Sequence, residues 1–325
     1  MNQAAIQRME KVYEADCQIG RVRLQRIAQV TQVEARTFLE MKRSQCAGET
    51  FADPPEVKLE PETPKPLFDL SPFEIELLRR GTQQRIIEPQ EFLWSKSSFK
   101  FAHITDTHMG HNFSKLDWWL KAVDLIEKEE CQFVCHSGDV TEGMNSRIPG
   151  HMYELEAIGS SAQLQLAHDR VNLLPCPVYA IDGNHDLWGH NNIGFDPCKE
   201  LEQRMPGKFV YLGMHEADLK ISNITIKMWH GEDGASYATS YRTQKFVEQL
   251  SGGEKPHILL AGHDHKEIAY TCRNVKVFGG GTLCGQTKWM RNKKLAAHVG
   301  FRIIEVWTNE TGIERIKEEW IPFFT

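Results

Sequence analysis

From residue 98 onward the chain repeats one pattern: a short apolar run, followed at once by a polar cluster of Gly, Asp, Asn and His. The runs occupy residues 99–105, 133–136, 178–181, 224–229, 258–261 and 275–278. Their lengths and their Gly and Asp boundaries favour buried strands, which periodicity alone would not separate from pieces of helix. Helical stretches fall between the early runs. In 115–130, Leu116, Trp119, Leu120, Val123 and Ile126 share one face behind Ser114 as N-cap, and a second helix is expected over 153–168. This alternation predicts a layered α/β domain over 98–325 with its chemistry at strand ends. A strand fixes where the chain emerges, Gly permits a sharp bend, and the next side chain is aimed at a shared point.

Five clusters stand at those ends: Asp106-Thr107-His108, Gly138-Asp139, Gly183-Asn184-His185-Asp186, Trp229-His230-Gly231 and Gly262-His263-Asp264-His265. They concentrate Asp, Asn and His and contain no thiol. Such a nitrogen and oxygen set suits a pair of divalent cations such as Mn²⁺, Fe²⁺, Zn²⁺ or Ni²⁺ and argues against structural zinc. Two cations about 3.5–4 Å apart need a shared carboxylate. Asp139, the lone acid of its cluster, is the natural bridge.

The ordered series D-x-H, GD, GNHD, H and GHDH resembles the calcineurin-like metallophosphoesterase superfamily, and it runs from Asp106 to His265. The resemblance implies a four-layer α/β/β/α sandwich that hydrolyses phosphate esters by in-line attack of a hydroxide bridging two divalent cations. Mn²⁺ is the first choice of metal, with Mg²⁺ also to be considered. One cation is implied to take Asp106, His108, Asp139 and His265, the other Asp139, Asn184, His230 and His263. His185 is implied to contact phosphate and protonate the leaving group, with Asp186 orienting its ring. Among the remaining candidates, His103 and His136 read as core residues, Asp264 as a loop-orienting residue, and Trp118, Trp119 and Trp229 as core. His111 reads as a loop residue able to reach substrate.

Phosphoprotein phosphatases of the superfamily carry GD-x-x-D-R-G, whereas this chain has Gly138-Asp139-Val140-Thr141-Glu142-Gly143 without the Arg. Asp106-Thr107-His108-Met109-Gly110 is similar to the D-x-H-x-G of the nucleases of double-strand-break repair. A DNA-directed phosphodiesterase or nuclease is therefore the leading expectation. The alternative is a phosphodiesterase or phosphatase for a small substrate such as a cyclic nucleotide, and a catalytically silent scaffold stands last.

Before this domain the chain changes character twice. Residues 1–45 keep a helical period, and 26–39 resembles a helix-turn-helix, with Gln32 where that motif usually has Gly. The segment carries eight basic and five acidic side chains. If it binds DNA, Arg21, Arg23, Arg26, Arg36, Lys42 and Arg43 are its candidate contacts. The other reading is a helical hairpin for docking or for a homodimer. Residues 46–66 hold five prolines and form an acidic linker, and 67–97 lead into the catalytic domain. A net charge of −6 excludes a nonspecific polycation, so any nucleic-acid contact must be local. Eight dispersed cysteines without a C-x-x-C pair fit a reducing cytoplasm. With no apolar stretch long enough for a membrane and no basic-then-apolar start, a cytoplasmic protein without membrane contact is expected.

Overall fold

The computed structural model describes residues 90–92, 97–144, 150–231, 236 and 238–323, together with Ile6 and Phe38, both of which are helical. Apart from Phe38, the expected helix-turn-helix lies outside the described residues, as do the proline-rich linker and the six candidate DNA contacts. The chain divides into two compact units, Met1–Gly81 and Thr82–Thr325. No helix among the described residues is long and apolar enough to cross a membrane.

In the second unit the elements begin with β1 (Gln90–Phe92), β2 (Ser98–Ile104), α1 (Leu116–Lys128), β3 (Phe133–Ser137), α2 (Ser160–Asn172) and β4 (Val178–Asp182). There follow α3 (Leu187–Ile193), α4 (Pro197–Arg204), β5 (Phe209–Met214), β6 (Glu216–Ile221), β7 (Ile224–Trp229) and α5 (Tyr241–Gln249). The chain ends with β8 (Ile258–Ala261), β9 (Glu267–Cys272), β10 (Val275–Gly280), α6 (Lys288–Asn292), β11 (Gly300–Asn309) and β12 (Gly312–Pro322). Six strands form one sheet in the order β12-β11-β2-β3-β4-β5, and six form another in the order β1-β6-β7-β8-β10-β9. Strands β2 to β5 run parallel, as do β7, β8 and β10.

Alternation along the strands makes the layers. In β2, Phe99 and Phe101 join Ile226, Leu260 and Ile304 in a core between the two sheets. Ala102 and Ile104 point the other way, into a core with Trp118, Trp119 and Ile126 of α1 and Leu164 and Ala167 of α2. On the far side of the second sheet, Phe246 and Val247 of α5 cover Leu259, Val275 and Val277. A parallel strand buried on both faces reads as a continuous apolar run, which is why these strands were visible in the sequence. The result is the α/β/β/α order.

Two local expectations differ from the structure. The helix expected over 153–168 starts only at Ser160, because Gly159 sits at φ 89° and ψ 151°, outside helical geometry, and a short 3₁₀ turn (His151–Glu154) precedes it. Ser114 is no N-cap. Its hydroxyl donates to Thr107 O at 2.7 Å and accepts from Arg170 Nη1 at 2.8 Å, and α1 opens one residue later behind Lys115.

Candidate metal centre

All five clusters emerge from the C-terminal ends of parallel strands. Asp106 and His108 follow β2, Asp139 follows β3, Asn184 and His185 follow β4, His230 follows β7, and His263 and His265 follow β8. Because the first three strands belong to one sheet and the last two to the other, the loops meet across the mouth of the sandwich. Asp106, His108, Asp139, His263 and His265 have φ of 51°, 45°, 54°, 74° and 52°. Left-handed backbone at non-glycine residues is costly and persists where the surroundings over-determine it. Here it turns five donors inward within two or four residues of a strand end. Gly183 supplies the close approach: a Cβ there would lie 2.5 Å from Asp139 N and 2.6 Å from His230 Nε2.

The donors form two groups that meet at Asp139. In the first, His108 Nε2 and His265 Nε2 face each other at 3.0 Å, with Asp106 Oδ1 3.2 Å from His265 and 3.8 Å from His108. In the second, Asn184 Oδ1 lies 3.1 Å from His230 Nε2 and 2.8 Å from His263 Nδ1. Asp139 Oδ2 stands between them, 3.7 Å from His108 Nε2 and 3.3 Å from His230 Nε2. His230 donates Nδ1–H to Ser137 O at 2.8 Å, which leaves Nε2 as the nitrogen that would meet a cation in exchange for its proton. Donor atoms of Asp106, His108 and His265 all lie within 4.8 Å of one another, as do those of Asp139, His230 and His263. Paired nitrogen and oxygen sets sharing one carboxylate fit two divalent cations.

Electrostatics in this pocket follow from burial against mutual charge. Burial raises Asp139, but His230 and His185 outweigh it and hold the carboxyl well below its usual range. Asp106 is likewise held low, by His265 and His230 against burial. His263 is pushed down to about 3 by burial and by His230, so its ring is neutral at neutral pH and binds a cation without first losing a proton.

Two residues complete the site that the sequence reading did not assign. Glu142 is buried, with one oxygen 2.8 Å from His108 Nδ1 and the other 2.6 Å from His151 Nε2. Its backbone oxygen accepts His185 Nδ1–H at 2.8 Å, and its carboxylate lies 3.5 Å from the same nitrogen. The sequence carried one hint, an acid three residues beyond Asp139 on the same loop. Arg242 of α5 pairs with Asp264 and sits 5.9 Å from the Trp229 ring centroid, so one buried guanidinium touches neighbours of His230, His263 and His265. A Cβ on Gly231 would meet its Nη2 at 2.6 Å.

Asp186 has a different place from the one expected. Its two oxygens accept Val140 N at 3.0 Å, Thr141 N at 2.7 Å, Thr141 Oγ1 at 2.8 Å and Gly183 N at 3.0 Å, while the His185 ring is held from Glu142. The carboxylate thus ties the Asp139 loop to the Asn184 loop. His103 and His136 are buried beside Ser137 and Thr107, at 2.9 and 3.0 Å. His111 is buried in its loop, where its Nδ1 accepts Phe113 N–H at 3.0 Å.

The calcineurin-like phosphoesterase family model matches residues 99–267, slightly more than half of the chain. No curated protein matches the sequence significantly. Among solved structures, an archaeal phosphodiesterase is 14% identical, with 69% of this chain and 100% of that one covered and a TM-score of 0.43. Zinc-complexed Vps29 from Entamoeba histolytica is 15% identical, covering 69% and 99% with a TM-score of 0.39. The GAP50 anchor of the Plasmodium inner membrane complex is 12% identical, covering 70% and 85% with a TM-score of 0.44.

Proposed function

Because this chain belongs to the calcineurin-like phosphoesterases and is a metal-dependent phosphoester hydrolase, we propose that it cleaves phosphodiesters, with DNA as the polymer it acts on. The observation that carries this reading is the place of His185, a ring nitrogen of which groups with donor atoms of His108 and Asp139 beside the Asp139, His230 and His263 group. Asp106, His108, Asp139 and His265 would hold one cation, and Asp139, Asn184, His230 and His263 the other. Cations held there would supply polarisation of the phosphoryl oxygens and would lower the pKa of a water at the site.

The chain's own contribution is at His185. Its Nδ1–H is committed to Glu142 O, so a proton carried on Nε2 is the one it can transfer. The ring is partly exposed, with 22% of its side-chain surface open. An alkoxide leaving group, as in DNA, needs that proton, whereas p-nitrophenolate leaves without it. Asp139 Oδ1 accepts the His185 backbone N–H at 2.8 Å, which fixes the ring's loop to the shared carboxylate. The choice of DNA is supported by the wording of Asp106 to Gly110 and by the basic balance of residues 1–45.

The test is Mn²⁺-dependent hydrolysis of bis(p-nitrophenyl) phosphate and p-nitrophenyl phosphate, followed by labelled single- and double-stranded DNA. Faster diester than monoester cleavage and DNA turnover are expected. His185→Ala should reduce DNA cleavage about 100-fold or more, reduce bis(p-nitrophenyl) phosphate cleavage far less, and leave metal content intact. Asp139→Ala should lose both metal and turnover. Monoester-only activity would end the diester reading.

A further inference from the structure

A cavity of about 630 Å³ opens at the end of the first sheet where β11 begins and β12 ends. Its walls carry Phe113, Trp118 and Trp320 together with Lys115, Arg291 and His298, and the described residues that line it include no carboxylate. In a chain of net charge −6, an acid-free pocket with two permanent cations is a local reversal of sign. Lys115 and one aromatic wall are held in place. Lys115 Nζ stands 4.9 Å from the Trp118 ring centroid, and Trp320 is held by Arg302, 5.6 Å from its ring.

The cavity is tied to the ligand loops through the backbone. His298 N–H donates to His265 O at 2.8 Å, and Gly285 N–H donates to Phe113 O at 3.0 Å, on the loop that leaves His108. Leu283 N–H and Thr282 Oγ1 both bond to Asp106 O, at 3.3 and 2.7 Å. The volume lies in the range that encloses a small organic ligand, roughly 300–1,000 Å³. Trp118 is buried beneath Lys115, which leaves the accessible rings of Phe113 and Trp320 to accept the face of a flat ring, and the cations beside them accept an anion. A nucleoside phosphate carries both on one molecule.

We infer that this cavity binds one nucleoside phosphate unit, the nucleotide next to the phosphate being cleaved. The identification of the unit as part of a substrate rests on the phosphodiesterase reading. Binding itself does not, which allows the two to be tested apart.

Equilibrium dialysis of adenosine 5′-monophosphate is run against the full chain in EDTA, so that the metal centre holds no cation to capture phosphate. Saturable binding is expected, with quenching of tryptophan fluorescence as the base stacks. Adenosine and ribose 5-phosphate, which each lack one half of the ligand, should bind at least tenfold more weakly. Lys115 and Arg291 are both exposed, so the double variant K115E/R291E should keep the wild-type thermal transition. It should bind the nucleotide at least tenfold more weakly, whereas K128E/K245E, with the same change of charge elsewhere, should bind as wild type does. Absence of saturable binding to wild type, equal binding by K115E/R291E, or equal binding of ribose 5-phosphate would each overturn the assignment. A protein that binds the nucleotide but cleaves no diester would overturn the phosphodiesterase reading instead, and one that cleaves diesters without binding it would overturn only the cavity.

Discussion

Glu142 and Asp186 are both buried carboxylates beside the same centre, yet their partners give them different tasks. Glu142 faces rings, His108 at 2.8 Å and His185 at 3.5 Å, and is placed to orient a candidate metal ligand and the proposed proton donor. Burial raises it, but His185 and His108 outweigh burial and hold it ionised. Glu142→Gln keeps the shape and removes the charge, and outer-shell partners of this kind are worth roughly 10–100-fold in metal affinity or activity. The expected result is a fall in kcat of that size and a raised Mn²⁺ requirement, read by metal titration of bis(p-nitrophenyl) phosphate turnover. Asp186 faces backbone and hydroxyl donors on two loops, so its loss should be felt as stability. Hydrogen bonds to a charged group contribute about 1.5–3 kcal/mol each, and an Asn amide turns one lone pair into a donor. Urea unfolding of Asp186→Asn should show a loss of about 2 kcal/mol or more, of equal size in the wild-type and His185→Ala backgrounds. A loss that vanished in the His185→Ala background would return Asp186 to ring orientation.

At the scale of elements, the strands that carry ligands were legible because each is buried on both faces and stops at a Gly or Asp turn. The runs 224–229 and 258–261 coincide with β7 and β8, and 133–136 and 178–181 fall one residue short of β3 and β4. Strands β6 and β12 went unread because charges interrupt them: Glu216, Asp218 and Lys220 alternate along β6, and β12 lies at a sheet edge with Glu314, Arg315, Lys317 and Glu318 exposed. The seven proposed ligand positions could be singled out because motif order lies in the chain, and the structure brings their donor atoms together. Arg242 could not, since its partners are Trp229 before it and Asp264 after it, and neither spacing nor composition on α5 marks it. The helix itself is fixed to the second sheet by Phe246, stacked 4.5 Å from Trp229. Arg242 therefore transmits a rigid helix position to two ligand loops at once. Arg242→Met should keep the stack on Trp229 and lose the ion pair to Asp264. The expected outcome is about a tenfold rise in the Mn²⁺ concentration giving half-maximal activity, partly reversed in Arg242→Lys. An unchanged metal midpoint would leave Arg242 a packing residue only.

Across the whole molecule, the two-sheet design makes the catalytic end of the sandwich its most polar interior, and that has a consequence for stability in acid. The centre of the sandwich is filled by Phe101, Ile226, Leu260 and Ile304. Toward the ligand loops the interior holds His103 and His136 instead, both buried. Burial, with Arg302 and His136 nearby, pushes His103 down to about 3, and burial against the attraction of Asp106 leaves His136 at about 4. Each ring is neutral in the folded protein, whereas in the unfolded chain it takes a proton near 6.5. The unfolded state therefore binds more protons below that value. The stability these rings provide is complete above about pH 6.5 and is lost as pH falls toward 4 and then 3, by up to about 1.4 kcal/mol per pH unit for each ring. The measurement is urea unfolding of metal-stripped protein between pH 7.5 and 5.0, with H103Q/H136Q as the reference. Gln places an amide near Ser137 and Thr107 but does not titrate, so every other histidine cancels in the difference between the two proteins. Wild type should lose stability faster than the variant as pH falls, by between 1 and about 3 kcal/mol per pH unit below pH 6. Parallel pH profiles would show that neither ring is held neutral by the fold, and the acid sensitivity would then have to arise at the ligand loops.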